Sequence, residues 1–233
     1  MKKSLALLAA IVLASVCSAQ SLDEIANKYY AANGIENLEK AQTITMQGQI
    51  SQMGMELPIT IMVKKPNKVK VIQEYSGMEI IVMFDGEKGY MVNPLTGSTD
   101  PVEIPGDQLG SVQEYNVFRD SFMDAFRGGR ATLDGEEDVE GKPAWKLTIT
   151  SEAGTVTTVF IDKGSYLTVK TAQTVSQMGQ EMLVESYVRE HKVINGAKFG
   201  TVISQFVNGS ELGGMTFEKI EIDTPIDDSV FKL

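Results

Sequence analysis

QTITMQGQISQMGMELPITIMVKKPNKVKVIQEYSGMEIIVMFDG occupies residues 42–86. Short runs of β-branched and aliphatic residues alternate there with turn chemistry at intervals of about eight to twelve residues. The punctuation is Met53-Gly54-Met55, Pro66-Asn67, Ser76-Gly77-Met78 and Asp85-Gly86. Glycine supplies positive φ at such positions, proline presets φ, and asparagine and aspartate bond their own backbone. This rhythm predicts a meandering antiparallel sheet or barrel, with strands near 42–52, 56–64, 68–76, 79–84 and 88–93.

The same pattern resumes downstream, predicting strands near 131–140, 143–151, 154–162, 166–175, 181–192, 197–207 and 215–222, with Asn195-Gly196 as a type I′ hairpin signal. Between the two series, Asn93-Pro94-Leu95-Thr96-Gly97, Pro101 and Pro105 lead into EYNVFRDSFMDAFRGG, residues 114–129. Tyr115, Phe118, Phe122 and Phe126 recur at three- and four-residue spacing, which predicts one helix from about Asn116 to Arg127. Its aromatic stripe would face the sheet, with Asp120 on the opposite face, and the excursion of about 94–130 would act as a lid. Upstream, Ser21-Leu22-Asp23-Glu24 is a capping box that opens a helix terminated at Gly34.

Lys2 and Lys3 precede an apolar run from Leu5 to Val16, the pattern of a secretory leader over residues 1–19, cut after Ala19 to expose Gln20. The alternative reading makes Cys17, the sole cysteine, a lipid anchor, although Val16 stands where that signal wants a small residue. Removing Lys2 and Lys3 leaves 19 basic against 31 acidic residues, a net charge of −12 with His191 neutral. Such a surface repels nucleic acid. Without the leader there is no cysteine, and residues 20–233 would form one domain.

In an up-and-down meander, alternate turns share a rim. Met53-Gly54-Met55, Ser76-Gly77-Met78, Met178-Gly179 and a turn at Gly213-Gly214-Met215 all fall on one rim, here rim A, together with the departure of the helical excursion. The turns Pro66-Asn67 and Asp85-Gly86 fall on the opposite rim B and carry no methionine. The turn at 151–155 is a rim A turn without one. Methionine adapts its shape to irregular apolar partners, so the candidate lipid-binding residues are Met53, Met55, Met78, Met91, Met178, Met182 and Met215. The aromatic residues Phe118, Phe122, Phe126, Trp145 and Phe217 join them. Packing beneath the helices is the competing reading for each of these side chains.

Catalytic patterns are missing from the sequence. There is no Gly-x-Ser-x-Gly elbow, and His191 is the single histidine, which removes zinc sites of the His-Glu-x-x-His kind. The acidic run Asp134-Gly135-Glu136-Glu137-Asp138 lacks the length and spacing of an EF-hand loop. No catalytic residue, metal or cofactor is expected.

Three stretches carry a resemblance. VKKPNKVKV (Val63–Val71) is similar to the basic-Pro-Asn hairpin of the LolA/LolB-like periplasmic lipoprotein-sorting carriers. MFDGEKGYMVNP (Met83–Pro94) is similar to their Asp-Gly hairpin followed by an aromatic residue and a proline, and FEKIEIDTPIDDSVFKL (217–233) resembles their closing strand and tail. The resemblance implies a mainly β chain with helices: an incomplete antiparallel β-barrel of about eleven strands whose concave side the helices cover. It implies a carrier that shields acyl chains of lipoproteins or lipids, served by an inner-membrane release complex and an outer-membrane acceptor. Lys68, Lys70 and Tyr90 depart from the arginine and tryptophan of those carriers, and the acidity departs from their basic mouths. We expect a periplasmic monomer. A lipid or outer-membrane-protein sensor, or an anchored acceptor if Cys17 is lipidated, are the other readings.

Overall fold

The fold was analysed in a computed structural model that describes residues 20–52, 54–177 and 179–232. The leader, Cys17, Met53 and Met178 lie outside the described residues. Helix α1 (Leu22–Asn33) begins at the capping box: the Ser21 hydroxyl accepts from the Glu24 amide and the Glu24 carboxylate from the Ser21 amide, each at 3.2 Å. It ends on Gly34 at φ +64°, which also opens α2 (Ile35–Lys40). A Cβ on Gly34 would lie 2.0 Å from the carbonyl oxygen of Gly196, so the absence of a side chain is what seats this helix pair against a strand turn.

The first strand series is β1 (Thr43–Gln52), β2 (Met55–Lys64), β3 (Lys68–Tyr75), β4 (Met78–Phe84), β5 (Gly89–Val92) and β6 (Val102–Ile104). After α3 (Leu109–Gln113) and α4 (Ser121–Arg127) come β7 (Ala131–Val139), β8 (Lys142–Thr150), β9 (Val156–Asp162) and β10 (Thr168–Gln177). The chain closes with β11 (Gln180–Ile194), β12 (Ala197–Val207) and β13 (Ser210–Ile222). All thirteen strands form one antiparallel sheet ordered β6-β5-β4-β3-β2-β1-β13-β12-β11-β10-β9-β8-β7, which does not close. It is the incomplete barrel expected, with more strands. Strand β6 escapes sequence reading because three residues between Pro101 and Pro105 carry no periodicity.

The expected turn at Gly213-Gly214-Met215 is corrected: the chain reverses at Asn208-Gly209, and both glycines lie inside β13. A Cβ on Gly213 or Gly214 would stand 1.8 Å from the Ser51 carbonyl oxygen or 2.1 Å from that of Ile203. The glycines thus permit close strand approach rather than chain reversal.

Strand alternation puts Ile44 and Met46 of β1, Ile59, Ile61 and Val63 of β2, and Val69 and Val71 of β3 on the concave face, where they are buried with Phe199 and Phe217. A second core fills the β7–β9 half: Ile25, Ala26 and Tyr29 of α1 and Phe122 and Met123 of α4 pack on Trp145, Leu147 and Ile161. Each such fully buried aliphatic or aromatic side chain contributes about 1.5–3 kcal/mol. On the convex face, residues 223–232 cross back over β1 to β3. Thr43 donates to the Thr224 carbonyl at 2.7 Å, Lys64 and Lys68 hold Asp228 at 2.8 and 3.1 Å, and Lys70 donates to the Val230 carbonyl at 3.0 Å. The lysines of the VKKPNKVKV hairpin therefore strap down the chain's own tail, whose Phe231 is fully buried.

Replacing Gly34 with alanine is expected to cost about 1–3 kcal/mol from the left-handed backbone alone, and more from the Gly196 clash. A fall in the urea midpoint at unchanged m-value would report it. Gly54→Ala, at φ +76° with nothing within 4 Å of the added carbon, should cost only the backbone share.

Candidate functional site

The pairing registers decide which face each rim methionine serves. Met55 follows the parity of Leu57 and Ile59, Met78 that of Ile80 and Val82, and Met182 lies opposite Val175 in the set that continues through Val184. Met91 pairs with Val82, and Met215 with Ile50 and Ile203. All five therefore belong to the concave side, near the end of the sheet at which residues 53–54, 76–77, 178–179 and 208–209 connect the strands.

There the concave face is not filled. A cavity of about 790 Å³, open on one side, has an apolar floor of Val82, Ile104, Val112 and Met215, with the exposed Met91 and Val102 at its edge. Its lip is polar, with Asn93, Asp100, Gln108, Glu114 and Gln205. A smaller lobe of about 200 Å³ beside Ile50, Ile203 and Leu212 shares Tyr115, Gln205 and Met215 with it, so these three residues stand between two parts of one groove. Helix α3 covers the groove, burying Val112 to 1% exposure. Burial raises the Glu114 carboxyl above its ordinary range, and burial followed by the Glu114 charge raises the Tyr115 phenol.

Of the candidates, Met91 and Met215 line the groove. Met55 and Met78 stand exposed along its rim, at 43% and 36%. Met182 is half-buried on the same face. Phe217 is buried in the core below.

The aromatic stripe behaves differently from the single lid helix expected. The chain turns at residues 114–119, and Asp120 caps a new helix, its carboxylate accepting from the Met123 amide at 2.9 Å. Phe118 is left near rim B, under the Lys65 ammonium at 4.8 Å. Phe122 is 1% exposed and meets the Tyr29 ring edge-on at 4.9 Å, with Phe126 6.3 Å away. Trp145 packs in the same core against Tyr166 at 5.0 Å. These three side chains hold α4 to α1 and the sheet and do not line the groove.

Asp120 likewise is not a free outer-face residue, since the Tyr29 hydroxyl donates to it at 2.7 Å. Burial raises its carboxyl, and burial followed by the Asp120 charge pushes the Tyr29 phenol well above its usual range. Sequence reading missed Val82, Ile104, Val112 and Ile203, whose apolar character is common to any strand or helix. Only the pairing of β4 to β6 and the placement of α3 set them around a cavity.

His191 lies on β11 opposite Gly200, its imidazole lowered by partial burial. Among the described residues no group of three or more His, Cys, Asp or Glu side chains is placed to hold a metal. No described helix is long and apolar enough to cross a membrane.

Solved structures share this architecture along nearly their whole length. A LolA superfamily protein from Nitrosomonas europaea superposes with a TM-score of 0.61 at 14% identity, covering 92% of this chain and 99% of that one. A domain assigned to outer membrane lipoprotein sorting, from Vibrio parahaemolyticus, gives 0.61 at 12% identity over 90% and 95%. The fold is LolA-like. A DUF1329 family protein from Desulfovibrio piger has it too, at a TM-score of 0.59 and 14% identity over 89% and 97%. No family model matches the sequence, and no curated protein is detectably similar to it. In the LolA-like frame of this chain, the groove is what the concave side leaves open once α1 and α4 have filled the other half.

Asp120→Ala should remove both the helix cap and the partner of a buried phenol, at about 1–3 kcal/mol, whereas Asp120→Asn retains a capping oxygen. A raised native carboxyl holds its proton to higher pH than in the unfolded chain, so its contribution is full below the unfolded value and declines as pH rises toward the native one. The stability of Asp120→Asn relative to the parent should therefore improve from acid to neutral pH in paired urea titrations. Phe122→Ala should cost about 3–5 kcal/mol, measured by the same method, with the folded fraction binding groove ligands unchanged.

Proposed function

We propose that this protein is a periplasmic carrier that holds acyl chains of lipids or lipoproteins in the rim A groove and escorts them toward the outer membrane. The observation that carries this reading is the half-open apolar cavity bordered by methionines on a LolA-like sheet. Its volume falls in the range of about 300–1,000 Å³ common to small-ligand sites. The sorting role assigned to the Vibrio domain and the leader-like first 19 residues agree with it.

The physical need is simple. Each buried methylene is worth about 0.8 kcal/mol, so exposing one long acyl chain to water costs on the order of 10 kcal/mol. A carrier must offer continuous apolar contact, and an empty apolar groove invites association unless something covers it. Here the cover is the short helix α3 with the following Tyr115, and its Val112 is buried against the first core. Unbranched methionines on the rim adjust to chains of different length and kink. Loading at an inner-membrane complex and delivery to an outer-membrane acceptor complete the reading.

Met215→Trp places a bulky ring between the two lobes. It should weaken binding of a neutral fluorescent probe with a long alkyl chain by roughly tenfold or more, equivalent to about 1.4 kcal/mol, with β-sheet circular dichroism unchanged. Val193→Trp, at an exposed position beside rim B, should leave the titration as it is. Equal binding by the parent and Met215→Trp would remove the groove from the function.

A further inference from the structure

The lysines of the strand connections are segregated to one end of the sheet. Lys64, Lys65, Lys68, Lys88, Lys142, Lys163 and Lys198 lie in or within two residues of the five turns at rim B, at least one for each turn, together with Asp85, Glu87, Asp138, Glu140 and Asp162. At rim A six connections, residues 53–54, 76–77, 93–101, 151–155, 178–179 and 208–209, contain no lysine or arginine, and neither do the two residues flanking each, while Arg130, which leads into β7 at this rim, donates to the Thr150 carbonyl at 3.0 Å. They carry or adjoin Glu56, Glu74, Glu79, Asp100, Glu181 and Glu211 instead. Glu103 and Glu152 are also there, the first ion-paired to Lys88 at 3.0 Å and the second 4.0 Å from Arg119 and Arg130.

The groove opens on this rim. Its floor is apolar, so a bound chain lies there and its head group emerges at the lip. Two lip carboxylates, Asp100 and Glu114, have no side-chain ion pair or hydrogen bond among the described residues, and both residues are exposed. Glu103, also in the lining, is held by Lys88 at 3.0 Å, and Asn93 and Gln205 are neutral amides. An anionic head would meet like charge, and no lysine or arginine is among the groove's lining residues. An ammonium head would meet two uncommitted carboxylates at the mouth of an apolar cavity, an attraction between unlike charges.

We infer that the groove selects long acyl or alkyl chains bearing an ammonium head group and disfavours chains that end in an anion. This rests on the carrier reading and adds to it the chemistry of the cargo's polar end. The interaction at an exposed lip is screened by salt, so the preference weakens as ionic strength rises while chain binding persists.

The test is displacement of a neutral fluorescent alkyl probe from the purified protein by three chains of equal length, hexadecylammonium, hexadecanol and hexadecanoate, each below its aggregation threshold. We expect hexadecylammonium to bind at least about tenfold more tightly than hexadecanoate, with hexadecanol between them and the ratio falling as salt is added. In Asp100→Asn/Glu114→Gln the ratio should fall toward one. In Glu87→Gln/Glu190→Gln, which removes the same charge away from the groove, it should persist. Binding of hexadecanoate as tight as that of hexadecylammonium would overturn the inference while hexadecanol binding leaves the carrier standing. A ratio that survives in Asp100→Asn/Glu114→Gln, or falls equally in Glu87→Gln/Glu190→Gln, would overturn the assignment to the lip and leave only the general acidity of the protein. If none of the three chains displaces the probe, the carrier reading fails and this inference with it.

Discussion

The pairing of the first strand with the last holds the architecture together. Along β1, positions from Ile44 to Gln52 meet β13 on one side while Thr43 to Gln52 meet β2 on the other, so the chain's two ends are joined at the middle of the sheet. The two half-meanders then grow outward from that seam, and the free edges, β6 and β7, are neighbours in sequence but lie at opposite ends of the strand order. The segment linking them spans the concave side, where α3 and α4 pack inside the half-barrel.

That crossing divides the interior unequally. Helix α4 is held to α1 by the Tyr29–Asp120 hydrogen bond and by Phe122, which together fill the concave face of β7 to β9. Helix α3, with five residues, is too short to do the same for β4 to β6 and β12 to β13. A groove remains at rim A, floored by residues whose alternation would otherwise have made them core. The opposite end is sealed by α2 and by Lys65, which donates to the carbonyls of Leu38 and Glu39. One rim is thereby closed and carries the lysine-bearing turns, and the other is open, apolar and acidic.

The edges of an unclosed sheet invite further pairing. Strand β7 carries Asp134, Glu136, Glu137 and Asp138 along its edge, and β6 is three residues long between prolines. The acidic run is thus explained as edge protection: Asp134 accepts from the Thr148 hydroxyl at 2.6 Å, and Glu136 and Glu137 pair with Lys163 and Lys146 at 2.5 and 2.8 Å. On the convex side, the tail that Lys64, Lys68 and Lys70 hold replaces a second layer over β1 to β3.

The sequence by itself determined what depends on neighbours along the chain. Turn chemistry at Pro66-Asn67, Asp85-Gly86 and Asn195-Gly196 marked strand ends, the Ser21–Glu24 capping box started α1, and the meander's parity put the connections 53–54, 76–77 and 178–179 on one rim. Local signals failed where a distant group outweighed them. Phe118 and Phe122 have helical spacing, but a cap at Asp120, stabilised by Tyr29 from ninety-one residues earlier, breaks the stripe and turns its aromatic residues into core. Gly213-Gly214 has the composition of a turn, yet the carbonyls of Ser51 and Ile203 need that space. The groove was the least legible feature, because Val82, Val112 and Met215 have the same apolar character whether they meet a partner or face a gap, and only the tertiary fit of a short helix over a wide sheet decides which.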